Sequence, residues 1–169
     1  MNILLTNILS ILFCLIVGYI FGSIPTSIWV GKIFYHQDPR DYGSHNAGGT
    51  NAGRLWGKKV GFCIILFDMI KTIGPMWLCW ALFTFCPINN GQSLCAPINL
   101  VNSFGINSSF IISYPVYWLA AFGAMLGHCW PIFAKFRGGK GVSVFMGLIV
   151  GSSWMIGFIP GLLYFLILK

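Results

Sequence analysis

Four stretches of this chain run almost without charge and each exceeds the roughly 20 residues that cross ~30 Å of hydrocarbon: Ile3–Gly31, Val60–Cys86, Ile111–Ala134 and Val142–Leu168. The whole sequence is 57% hydrophobic and only 8% charged, where a soluble domain carries about 25% charged residues. These features predict an all-α fold, a polytopic transmembrane helix bundle in which residues 1–169 form one domain. The last stretch would make a helix of roughly 40 Å, longer than the bilayer core. Breaks at Gly151-Ser152-Ser153 and Pro160-Gly161 predict instead two short helices in a hairpin that brings Lys169 back to the inner side. About five spans result.

The net charge of +7 raises nucleic acid as a partner, but the placement of the charges argues against it. Lys32, Arg40, Arg54, Lys58 and Lys59 fall between the first two apolar stretches, and Lys135, Arg137 and Lys140 between the third and fourth. Residues 87–110 carry no charge of either sign. Under the positive-inside rule both basic loops are cytoplasmic and the middle loop, with Asn99, lies outside. No Lys or Arg precedes Lys32, so the first stretch reads as an uncleaved span rather than a signal peptide.

The chain has no glutamate and three aspartates, Asp38, Asp41 and Asp68, which removes mechanisms needing a catalytic carboxylate pair. Its six cysteines lack C-x-x-C spacing and ligand patterns for zinc. They read as small buried hydrophobes, with Cys86 and Cys95 bracketing the external loop where an oxidising compartment would let them pair. Asp68 and Lys71 stand inside the second apolar stretch. A charge there costs about 2.5–3.5 kcal/mol near the bilayer centre, so neither faces lipid. At i, i+3 they share a face and pair, either as a structural ion pair or lining a wet pocket.

The chemistry concentrates in two glycine-rich basic segments. In Asp41-Tyr-Gly-Ser-His-Asn-Ala-Gly-Gly-Thr-Asn-Ala-Gly-Arg-Leu-Trp-Gly-Lys-Lys59, Asn51, Arg54 and Lys58 follow i, i+3, i+7. A helix capped by Thr50 would project all three from one face, with Ser44, Asn46, Gly48 and Gly49 just before its anion-attracting N-terminus. Glycines let backbone N–H groups crowd an anion, and Lys or Arg neutralises it. The second segment, Lys135-Phe-Arg-Gly-Gly-Lys-Gly141, lacks P-loop spacing and gains meaning only beside the first. Phosphate held at the membrane surface is the predicted task.

Together with Gly22-Ser-Ile-Pro25, Asp68-x-x-Lys71 and Gly127-His-x-x-Pro131, these segments resemble, in order, the bacterial acyl-phosphate:glycerol-3-phosphate acyltransferases, integral membrane enzymes of phospholipid synthesis. The resemblance spans about Gly22 to Val142. It implies transfer of an acyl group from acyl phosphate to the 1-hydroxyl of sn-glycerol 3-phosphate, giving lysophosphatidate, at the cytoplasmic face of the cell membrane. It implies no cofactor and no metal; the partners are the two phosphate substrates and the lipid bilayer. By position, Ser44 and Arg54 carry the catalytic role, and Asn46, Thr50, Asn51, Lys58, Gly138, Gly139, Lys140 and Gly141 bind substrate. His128, as a base, and Asp68 with Lys71 are further candidates. His45 stands where relatives have glycine or lysine, Arg137 where they have Lys, and Thr72 where they have glycine. Relatives continue through two more helices to a His-x-x-Asn-x-x-Arg motif that is not found in these residues, so the resemblance describes a C-terminally truncated member. The rival readings are an inactive truncated relative and a membrane carrier for phosphate or other anions. His36-Gln-Asp-Pro-Arg-Asp41 also fits the H-x-x-x-x-D string of another acyltransferase class, but without the soluble α/β domain that class needs.

Overall fold

Helix α1 (Ile3–Gly22) has no acidic or basic residue in its end turns and is apolar almost throughout, so only close packing gives it one preferred neighbour. In the computed structural model, which describes residues 3–84, 88–89, 92–93 and 115–152 with side chains at 8–82 and 118–152, that neighbour is the helix Pro115–Cys129. Side chains added at Gly18 and Gly22 would overlap the backbone of Ala120 and Ala124, and ones at Gly123 and Gly127 would overlap that of Leu15 and Tyr19. The two helices therefore meet backbone to backbone, as small residues allow where no hydrophobic drive separates lipid from protein. Cys14 and Cys79, both fully buried, pack there with Ala120, in keeping with a buried apolar role.

Pro25 cannot donate to a helical ladder. The chain therefore breaks fully at Ser23–Pro25 rather than kinking, and restarts as α2 (Thr26–Val30), which runs into a π-helical turn at Gly31–Tyr35. A 3-10 turn at Pro39–Asp41 follows, then α3 (Gly49–Trp56) and α4 (Lys58–Thr84). Between them Gly57, at φ 98, reverses the chain, a backbone state only glycine adopts without strain. A side chain at Gly61 would overlap Gly53 and Gly49. Two of the glycines in the first basic segment thus serve to pack α3 on α4, rather than to bare N–H groups.

Beyond α4 lie a short antiparallel pairing, β1 (Ile88–Asn89) with β2 (Gln92–Ser93), then α5 (Pro115–Cys129), a 3-10 turn (Ile132–Ala134) and α6 (Val142–Ser152). Two helical runs are long and apolar enough to cross a membrane, Ile8–Tyr35 and Lys58–Leu82, while the runs in α5 and α6 are shorter as described. Helix α6 continues through Gly151-Ser152, where a break was expected. The hairpin beyond it, the Cys86–Cys95 pairing and the position of Asn99 lie outside the described residues.

Candidate active site

One buried amide folds the first basic segment. Asn51 is 1% exposed. Its Nδ2 donates to the carbonyls of Pro39 (2.7 Å), Tyr42 (3.1 Å) and Asn46 (3.1 Å), and its Oδ1 accepts from the Ser44 N–H at 2.9 Å. An amide has two donors and one acceptor oxygen, so Asn51 is committed to shaping the loop that carries Ser44 and Asn46. That corrects its expected role as a ligand. His45 takes φ 54 while its ring meets the Arg40 carbonyl at 3.1 Å. The left-handed backbone gives a physical reason for the glycine expected at that position.

The helix after this loop begins one turn position earlier than predicted. Gly48 is its N-cap, without a side-chain cap bond, because Thr50 already lies within the first turn. Lys58 does not share a face with Asn51 and Arg54: Gly57 ends α3, and Lys58 opens α4 as an exposed residue. Arg40, a further cation of the segment, is spent on structure. It holds Asp38 at 2.7 Å and reaches the Ala134 carbonyl at 2.9 Å, tying the first basic segment to the second. The hydrogen bond from Arg40 holds the Asp38 carboxyl below the ordinary carboxylate range, and the same bond raises the guanidinium.

The second segment folds back on α5. Gly138 and Gly139 donate their N–H groups to the carbonyls of Cys129 (3.2 Å) and His128 (3.1 Å). A side chain at Gly138 would overlap the His128 carbonyl, and one at Gly139 would overlap the His128 ring. These two glycines are required for packing on His128, a correction to their expected place against substrate. Lys140 and Gly141, the latter at φ 81, turn forward instead. His128 is 5% exposed, with Nδ1 3.8 Å from Asp68 and Nε2 against Gly139. Both ring nitrogens face protein, which suits a buttress better than the base considered above. Asp68 and Lys71 form the expected i, i+3 pair at 2.9 Å, and Lys71 also donates to the Ile24 carbonyl at 2.8 Å. With 1% and 8% exposure, the pair is a structural one.

The two segments converge on one cavity of about 180 Å³, well above the ~10–15 Å³ that a single water needs. Ser44, Asn46, Thr50 and Arg54 line it from the first segment, and Lys140 and Gly141 from the second. Asn51 and His128 contribute to its walls, while Lys58, Gly138 and Gly139 do not. Ile65 and Ser143 line it too and were missed. A serine just past the glycine loop, in the first turn of a helix, was the available signal for Ser143. Neither Arg54 nor Lys140 makes an ion pair or hydrogen bond among the described residues. Two unpartnered cations and three hydroxyls therefore face a polar hollow at the ends of α3 and α6. Among the described residues no three His, Cys or acidic side chains gather as a metal cluster would require.

The family model described as glycerol-3-phosphate acyltransferase matches residues 12–169. The chain belongs to that family. Among curated glycerol-3-phosphate acyltransferases, that of Chlorobium chlorochromatii (strain CaD3) is 41% identical over 143 residues, 85% of this chain and 54% of the relative. That of Ureaplasma parvum serovar 3 (strain ATCC 27815) is 35% identical over 171 residues, 99% of this chain and 61% of the relative. The chain thus spans between about half and three-fifths of the length of these relatives. A crystal structure of PlsY (YgiH), an integral membrane glycerol 3-phosphate acyltransferase in its glycerol 3-phosphate form, is similar at a TM-score of 0.66 and 30% identity, covering 94% of this chain and 65% of that one. Its lysophosphatidic acid form is similar at 0.58 and 29%, covering 90% and 62%. Glycerol-3-phosphate acyltransferase family membership, a coarse all-α architecture with two long apolar spans, and the shared fold with PlsY stand together.

Proposed function

We propose that this chain carries the phosphate-gripping part of an acyltransferase that moves an acyl group from acyl phosphate to the 1-hydroxyl of sn-glycerol 3-phosphate at the cytoplasmic face of the cell membrane. The observation that carries this reading is the meeting of Arg54 and Lys140, from segments 86 residues apart, on one hollow with neither cation partnered. Two phosphate substrates repel each other, and one cation near 4 Å offsets about 4 kcal/mol at an effective dielectric near 20. One segment alone would be too weak.

An acyl phosphate is already activated, so the site's task is orientation, where effective molarity supplies roughly 7–11 kcal/mol. The acceptor's hydroxyl oxygen bonds to the acyl carbonyl carbon, the bond from that carbon to the phosphate oxygen breaks, and the hydroxyl proton leaves on the departing phosphate. No protein carboxylate is needed. Ser44, Thr50 and Asn46 present polar groups to the phosphates beside Arg54. An apolar groove between α5 and α6, walled by Trp118, Phe122, Met125 and Phe145, begins next to Gly141 and suits a hydrocarbon chain.

Reconstitution in lipid vesicles tests this. Acyl phosphate and glycerol 3-phosphate should yield lysophosphatidate, and Arg54→Ala should remove the product. Phosphate exchange across sealed vesicles with no acyl transfer would overturn the reading in favour of a carrier.

A further inference from the structure

The carboxylate of Asp68 gathers donors from four separate elements. Thr26, which opens α2, donates to its Oδ1 at 3.1 Å. Lys71, on α4 itself, reaches the same oxygen at 2.9 Å. Ser143, in the first turn of α6, donates to Oδ2 at 3.2 Å. His128 of α5 stands 3.8 Å from Oδ1. A carboxylate only accepts, so a single buried group can hold several donors that have no other reason to meet.

Two of those donors bracket the second glycine loop. Its entry rests on His128, whose carbonyl takes the Gly139 N–H and whose ring fills the space beside Gly139. Its exit is Ser143, three residues beyond Lys140. Thr26 bears on the other segment, because the neighbouring Ser27 donates to the Ala47 carbonyl at 2.8 Å.

We propose that Asp68 is a positioning residue that, through Ser143 and His128, sets where Lys140 stands relative to Arg54. The proposal rests on the reading of the hollow as an anion site. Asp68 touches no substrate; it strap-fastens the loop that does. A buried ion pair can be replaced by apolar residues of similar volume without loss of fold. An Asp68→Leu/Lys71→Met variant therefore removes the acceptor while leaving the bundle assembled, and Ser143→Ala removes one strap alone.

Purified 169-residue protein in lipid nanodiscs allows two readouts. The first is amide hydrogen exchange over residues 138–143, which reports local opening. The second is affinity for inorganic phosphate. Both variants should speed exchange in that segment, leave residues 44–51 unchanged, and weaken phosphate about 3- to 30-fold. Ser143→Thr, which keeps the hydroxyl, should restore both. The effects should not add: Ser143→Ala in the Asp68→Leu/Lys71→Met background should cost nothing further. Unchanged exchange, or additive losses in phosphate affinity, would overturn the proposal and assign Ser143 to direct ligand contact. If the unsubstituted protein binds no phosphate, the anion-site reading fails and the exchange result alone decides the strap.

Discussion

Arg54 sits in the last turn of α3, where the helix dipole favours a cation, and its guanidinium is left open toward the hollow. A planar fork can bond two phosphate oxygens at once, which an ammonium cannot reproduce. Arg54→Ala should therefore lower acyl transfer by on the order of 10²–10³, and Arg54→Lys should also be severely impaired. Steady-state rates at saturating substrates measure this, and near-normal turnover for Arg54→Lys would refute the role. Asn51, three residues earlier, should behave differently. Asn51→Asp keeps the shape but replaces the amide donor with a second acceptor facing the carbonyls of Pro39, Tyr42 and Asn46. Leaving buried polar groups unpaired costs about 1–3 kcal/mol, so this variant should lose thermal stability in a melting experiment before any question of turnover arises.

Elements are set against each other here by glycine, and the glycines are not equivalent. At Gly139 the space a side chain would need is filled by the His128 ring, whereas at Gly138 it is filled by backbone carbonyls and the Pro131 ring. Gly139→Ala should thus be rescued in part when His128 is trimmed to alanine in the same chain. Gly138→Ala should gain nothing from that second change. Comparing melting temperatures of the four variants checks the pair, and equal rescue of both would show that the loop is not packed on the ring. The same logic explains why the paired glycines looked like phosphate ligands in sequence. A residue chosen for close approach to backbone and one chosen for close approach to an anion are both glycine, and spacing does not separate them.

For the whole molecule, the asymmetry of charge predicts that positions 54 and 140 react with an impermeant thiol reagent from the cytoplasmic side only, and position 99 from the other side only. Single-cysteine variants in oriented vesicles measure it; labelling of position 54 from the outside alone would sink the topology. The sequence by itself determined the apolar stretches, the break at Gly22–Pro25, the Asp68–Lys71 pair and the presence of two cationic loops. Each of these follows from short-range physics: the desolvation of charge, the missing proline donor, the i, i+3 geometry of a helix. Only the tertiary structure decided which members of each motif face the hollow and which build its walls. Arg54 and Asn51 are neighbours on one short helix, yet one is free and the other fully bonded. Contacts such as Ser143 with Asp68, 75 residues apart, leave no periodic trace, because a hydrogen bond between distant elements depends on how helices pack and not on the spacing of letters.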